Sequence, residues 1–199
     1  MIQSINQFLR RVPSWPVYIV MILHFCWLFY RGAAGLTGPE PIKVLEHALG
    51  DIAIQLFIVV LAITPLRKLT GLNLIKFRRA LGLAVFFYVT MHLLVWLVLD
   101  VGIVSQIWAD LLKRPYITIG MLGFVLLVPL AVTSNNWSIR KLGPLRWNRV
   151  HKLTYAAVLV GAIHNVMVQK VWELESVLYL SIILALLALR VRLPRRVAT

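Results

Sequence analysis

The sequence predicts an all-α integral membrane protein, a six-transmembrane-helix bundle with both termini in the cytoplasm. Three observations carry that prediction. First, 60% of the 199 residues are hydrophobic and only 14% are charged, whereas a soluble domain is about half apolar with about a quarter charged. Second, the apolar residues fall into six stretches of near-spanning length, and the mean hydropathy is +0.84. Third, the two signs of charge segregate into alternate connections between those stretches.

The spans lie near 16–30, 51–66, 80–99, 116–133, 153–168 and 176–189. A hydrocarbon core of about 30 Å takes roughly 20 helical residues, so two of the spans are short. Flanking side chains must snorkel there, or the bilayer must thin. Backbone groups in lipid have to pair internally, and no stretch alternates as a barrel strand would, so the spans are helices. The first span follows Arg10 and Arg11 and precedes small residues from Gly32 to Gly35, a pattern shared with signal peptides. It is read here as a retained first helix. No connection is long enough for a separate folded domain, so residues 1–199 form a single membrane domain.

Charge sets the orientation. Arg10 and Arg11 precede span one. Arg67, Lys68, Lys76, Arg78 and Arg79 join spans two and three, and Arg140, Lys141, Arg146, Arg149 and Lys152 join four and five. Arg190, Arg192, Arg195 and Arg196 lie in the tail. These segments hold 16 of the 21 basic residues and no acidic one. Glu40, Glu46, Asp51, Asp100, Asp110, Glu173 and Glu175 all fall on the other side. The positive-inside rule puts the basic side in the cytoplasm, which predicts a bacterial inner membrane protein. Trp15, Tyr30, Tyr116 and Trp172, near span ends, suit interfacial belts. The net charge of +14 therefore reflects topology and not nucleic-acid binding, because it sits in short clusters between apolar runs.

Several chemistries are excluded. The lone Cys26 cannot form an intrachain disulfide, and no Cys-x-x-Cys-His motif offers covalent haem attachment. There is no nucleotide-binding or metalloprotease motif and no internal repeat of the transporter kind.

Five histidines remain, and ionisable residues within spans are functional candidates. His92 lies 13 residues past Arg79, and His164 lies 12 past Lys152. Both spans run outward, so the two imidazoles share a depth of roughly 18–20 Å from the inner edge. Three uses of that pair stand side by side: both faces of a b-type haem iron, a hydrogen bond between helices, or a proton relay. Ala157 and Gly161 below His164 could admit a flat porphyrin or mark close helix packing. His151, 13 residues before His164, lies at the cytoplasmic mouth of span five and points to a different side of an ideal helix. It is a second cofactor ligand or an interfacial polar residue. His24, mid-span, lines a pocket or makes a structural hydrogen bond, and His47 is solvated in the first outer loop. The outer acidic residues either dock a partner or are simply solvated.

Longer motifs carry a resemblance. Arg78-Arg79-Ala80-Leu81-Gly82-Leu83, then Tyr88 and His92-Leu93, resembles the third-helix signature of the MsrQ family. Ile63-Thr64-Pro65-Leu66-Arg67, Arg114-Pro115-Tyr116-Ile117-Thr118-Ile119-Gly120, and the block from Leu130-Ala131-Val132-Thr133-Ser134 through Trp147, His151, Tyr155 and His164 are similar as well. That family belongs to the ferric reductase and NADPH oxidase membrane-domain superfamily. The resemblance implies a six-helix bundle binding haem b, with His92, His151 and His164 matching the family's haem histidines. It also implies a flavin, FMN, and electrons from the quinone pool or a cytosolic flavin reductase. The acceptor it implies is MsrP, a periplasmic molybdopterin methionine sulfoxide reductase, in repair of oxidised periplasmic proteins.

One departure separates this chain from the NADPH oxidases, which carry two histidines on the third helix. Thirteen or fourteen residues before His92 stand Arg79 and Arg78. The expectation is one haem, at His92 and His164, with a second, inner haem at His151 lacking an opposing histidine. A guanidinium does not ligate iron but suits a propionate or flavin phosphate. Arg78, Arg79 and His151 are therefore candidates for an inner flavin or quinol site, or else residues that set topology. The leading reading is an electron conduit whose cofactors do the chemistry. The alternatives are a self-contained ferric or quinone reductase at the outer face and a small transporter. Against the transporter, Asp51 and Asp100 are expected only at span ends.

Overall fold

The computed structural model describes residues 2–169 and 173–190. Trp172, assigned above to an interfacial belt, and the tail arginines Arg192, Arg195 and Arg196 lie outside the described residues. The described residues form helices without strands: α1 (Ile2–Arg11), α2 (Pro16–Ala33), α3 (Pro41–Thr70), α4 (Arg78–Leu94), α5 (Val104–Lys113), α6 (Pro115–Val132), α7 (Asn136–His151), α8 (Leu153–Val168) and α9 (Leu174–Ala188). Among the described residues, four segments are long and apolar enough to cross a membrane: α2, α3, Ile75–Val101 containing α4, and α6. Helices α8 and α9 coincide with the last two expected spans but run only 16 and 15 residues.

Local chemistry sets the helix ends. Proline, which has no N–H to leave unpaired, starts α2, α3 and α6. Helix α3 ends at Gly71, whose φ of 78° is left-handed and whose N–H bonds Arg67 O at 3.0 Å. The Asn135 side chain accepts from Ser138 N at 2.8 Å and so caps α7. That helix is two pieces meeting at Gly143, just before Pro144.

Three helices escaped the sequence reading because they are not apolar: α1 and α5 are amphipathic, and α7 is mainly polar. Helix α1 ends on Arg10 and Arg11 and is pinned to the turn after α3, where Asn6 donates to Gly71 O and accepts from Asn73 N. Helix α5 exposes Val104, Trp108 and Leu112, as an interfacial helix would. Helix α3 also starts ten residues before the expected span, which corrects two assignments. His47 is helical, not in a loop, though it is exposed as expected. Asp51 lies in the third turn of a long helix, not at its end, which removes part of the case made above against a transporter.

The bundle's centre is α3 along α4 and α6 along α8, with α9 against α8 and α3. Ile54, Phe57, Leu61, Val85, Leu127, Leu130, Val158 and Ile183 fill the space between these helices. Helix α2 is peripheral and buries only Met21. It meets the bundle through a second cluster with Leu45, Leu49, Ala53, Ala84 and Tyr88.

Pro65, inside α3, has no N–H for the carbonyl of Leu61 four residues back. Arg190 donates to that carbonyl instead, and its other terminal nitrogen bonds Tyr155 OH at 3.0 Å. A buried carbonyl left unpaired costs about 1–3 kcal/mol. Arg190→Met is therefore expected to lower the melting temperature of the purified protein. Pro65→Ala, which restores the backbone donor, should shrink that loss by at least about half. Equal losses in the two backgrounds would show that Arg190 does not serve the carbonyl.

Candidate functional site

His92 stands near the C-terminal end of α4, just before the chain loosens into π-helical turns over Val95–Val101. Its Nδ1 lies 2.9 Å from the backbone oxygen of Glu46 on α3. His164, on α8, places its Nδ1 2.8 Å from the backbone oxygen of Tyr116 on α6. A carbonyl only accepts, so each Nδ1 carries the proton and each Nε2 keeps its lone pair.

The two seats share a plan. In each, the accepting carbonyl is followed four residues later by a glycine, Gly50 after Glu46 and Gly120 after Tyr116. The missing side chain lets a ring reach a helical carbonyl already engaged in its own ladder. At Gly50 a Cβ would lie 3.5 Å from His92 Nδ1, whereas at Gly120 it would lie 2.8 Å from His164 Cε1 and 2.9 Å from its Nδ1. The second seat is the tighter by far.

The rings meet across the bundle with centroids 6.2 Å apart and planes at 78°. Two imidazoles on opposite sides of one metal, each bonded at about 2 Å with the nitrogen about 1 Å from its ring centre, have centroids about 6 Å apart. Rotation about the metal–nitrogen axis leaves the interplanar angle free. Among the described residues no group of three or more His, Cys, Asp or Glu is arranged to hold a metal ion. The pair therefore suits a metal whose other ligands come with it, as in a porphyrin. Both histidines line a cavity of about 660 Å³, whose walls include Gly50, Gly120, Gly123, Ala157 and Gly161. That volume is within the range of cofactor pockets, and its small-residue walls fit a flat ring.

The rim of this cavity is acidic. Glu46, Asp51, Asp100 and Glu173 border it, beside Glu40, Lys43 and Arg114. Lys43 pairs with Glu40 at 2.6 Å, and Arg114 with Asp110 at 3.1 Å. Asn165 reaches toward Asp51 at 3.5 Å, next in sequence to His164. These rim groups and the two glycines were missed as site residues. Gly120 had surfaced only inside a motif, and nothing in its spacing marked it as the seat of an imidazole 44 positions away.

The other expected site residues gather elsewhere, at the basic end. His151 does not line the cavity. The Thr133 hydroxyl donates to Pro129 O at 2.6 Å, so it accepts from His151 Nε2 at 3.1 Å. Trp147 stacks on the ring at 3.8 Å. Burial, then the charge of Arg78, hold the His151 imidazole below its ordinary pKa. No second histidine faces it. Arg79 donates to Asn136 Oδ1 at 2.8 Å. Half-buried Arg78 lies within electrostatic reach of Arg190 and Tyr155. Among the described residues neither Arg78 nor Arg79 has a carboxylate partner. Such guanidiniums suit a phosphate-bearing group.

Comparison with known proteins places the chain in a family. A family model described as ferric reductase like transmembrane component matches residues 49–162, which include His92 and His151 and end two residues before His164. The chain is 50% identical over 181 residues to the protein-methionine-sulfoxide reductase heme-binding subunit MsrQ of Brucella anthropi, covering 90% of this chain and 82% of that protein. The subunits of the same name from Brucella ovis and Brucella canis are 48% identical over the same shares. By this likeness over nearly its whole length, the chain belongs to the MsrQ family of heme-binding subunits, within the ferric reductase like transmembrane components.

Proposed function

We propose that this chain is a transmembrane electron conduit in the bacterial inner membrane, holding a b-type haem between His92 and His164. The single observation that carries this reading is the pair of imidazoles 6.2 Å apart, each with Nδ1 engaged by a backbone carbonyl. When bound, the haem supplies one-electron chemistry at its iron. The protein's part is to fix the tautomer of both rings, hold them at one level and surround them with low-polarity walls.

The bundle crosses the membrane six times with both termini cytoplasmic, as one domain over residues 1–199. Charge supports this topology, since Arg78, Arg79, Arg146, Arg149 and Arg190 lie toward one end and the seven carboxylates toward the other. Helices α8 and α9, about 24 and 22 Å long at 1.5 Å per residue, cross with local thinning or snorkelling. On the inner side, Arg78, Arg79 and His151 hold the phosphate and ring edge of FMN. The absence of a facing histidine at His151 supports one haem over two.

Electrons enter from the quinone pool or a cytosolic flavin reductase and leave at the acidic rim. The receiver is the periplasmic molybdopterin enzyme MsrP, which reduces methionine sulfoxide in damaged proteins. The printed name of the Brucella subunits supports such a partner system. A second reading, a self-contained ferric reductase, is favoured by the same rim, whose carboxylates would also draw a cationic iron species.

One experiment separates the two. Membranes from overexpressing cells should be red and show reduced bands of a bis-histidine haem b. Purified MsrP with methionine sulfoxide should then reoxidise the haem at least about tenfold faster than ferric chelates do. The reverse order would establish the second reading, and colourless protein would end both.

A further inference from the structure

His24 belongs to neither cluster. It stands eight residues past Pro16, mid-span in α2, on a helix that buries only Met21 and is otherwise open, with Val20, Leu23 and Trp27 exposed. His24 is itself exposed, so in a bilayer its ring edge faces hydrocarbon. Its Nδ1 lies 2.9 Å from the hydroxyl of Tyr88, a side chain only 3% exposed, and that hydroxyl lies 3.3 Å from the backbone oxygen of Met21.

The hydroxyl has one proton to give. If it goes to Met21 O, Tyr88 accepts from His24 Nδ1, and His24 Nε2 is a bare acceptor. If it goes to His24 Nδ1, the His24 Nε2 carries a proton and must donate. Either way Nε2 has no partner among the described residues. A polar nitrogen facing lipid tails is costly, so its natural complement is a polar group that dissolves in those tails. At about 12 Å along α2 from Pro16, phospholipid headgroups are out of reach. A quinol or quinone meets the requirement, because its ring oxygens can donate or accept as the imidazole needs.

We propose that His24 and Tyr88 form a lipid-facing site for the headgroup of a membrane quinol. The inference rests on the quinol donor proposed above and gives that donor a place. Tyr88 is four residues before His92 on α4, so it lies on the same helix face, about 6 Å inward along the axis. The site is thus one helical turn from the haem histidine and open to the bilayer. Oxidation of one quinol to quinone gives up two electrons and two protons; a haem held by His92 and His164 would accept the electrons one at a time, and the His24 imidazole would take each proton in turn from the quinol oxygen it bonds, releasing the first before the second.

The test uses the purified full-length protein with its haem. An azido-substituted quinone is photolysed against it, and decylubiquinol is the reductant in anaerobic mixing. Label is expected on the α2 peptide containing His24. His24→Leu should lose that label and raise the KM for decylubiquinol about tenfold, and Tyr88→Phe should raise it severalfold, as loss of one or two hydrogen bonds implies. Dithionite-reducible haem per protein should be unchanged in both. Label elsewhere, with wild-type quinol kinetics in both variants, would overturn the site while leaving the donor standing. Failure of quinol to reduce wild-type haem, with no label, would instead remove the donor. Should His24→Leu not retain haem, Tyr88→Phe and the position of the label decide.

Discussion

His92→Ala and His164→Ala are each expected to abolish the reduced haem b bands of the purified protein, whereas His151→Ala keeps most of them. The reason is geometric. His92 and His164 are the two imidazoles that face each other, and each has its outer nitrogen committed to a carbonyl of a different helix. Removing either would take away one of the two imidazoles that would hold the haem and leaves a hole beside the cavity. His151 has Nε2 donated to Thr133 and one ring face under Trp147, so its loss disturbs the basic end without reaching the paired rings. Haem per protein, by pyridine haemochrome, checks this. Substantial haem in either His92→Ala or His164→Ala would remove the proposed metal centre. Haem loss in His151→Ala equal to theirs would restore a second site.

Gly120→Ala should lose most of the haem while Gly50→Ala keeps it, although each adds a single methyl group. The new Cβ at position 120 would sit 2.8 Å from His164 Cε1, closer than such carbons approach, and the atoms it meets belong to a stiff ring held by its own hydrogen bond. Either the ring leaves Tyr116 O or α6 moves away from α8. Both misplace the axial nitrogen. At position 50 the corresponding distance, 3.5 Å, is an ordinary contact. Overpacking in a filled interior costs about 1–3 kcal/mol, so Gly120→Ala should lower haem affinity roughly tenfold or more. Gly50→Ala should stay within about threefold. Haem titration of the apoprotein measures both, and equal affinities would mean that the seat at α6 yields easily.

Much of the architecture was legible in one dimension. Partition into lipid depends on summed hydrophobicity over about 20 residues, and orientation depends on which connections carry arginine and lysine. Both properties survive without knowing any contact. Hence four of the six expected stretches fall within segments long enough to cross a membrane, and the last two coincide with shorter helices. The ends were harder to read. Helix α3 extends past Asp51 back to Pro41 because backbone hydrogen bonding continues where hydropathy drops. The amphipathic α1 and α5 and the mainly polar α7 carry too little apolar length to register as spans.

Spacing alone could place His92, His164 and Tyr88 in depth, since rise per residue is constant, and the shared level of the two histidines was readable. Azimuth was not. Which way a side chain points around a helix is set by how the helices pack, and that depends on contacts between residues far apart in the chain. Only the tertiary structure therefore decided that His92 meets His164, that His151 turns to Thr133 and Trp147, and that His24 faces outward from Tyr88. It also decided that Gly50 and Gly120 open two helical carbonyls to imidazole. The sequence by itself determined that these helices enter a membrane and which end is basic, because solvation acts on each segment separately. The meeting of two rings is a property of the packed bundle, because it requires four helices to agree on their rotation at once.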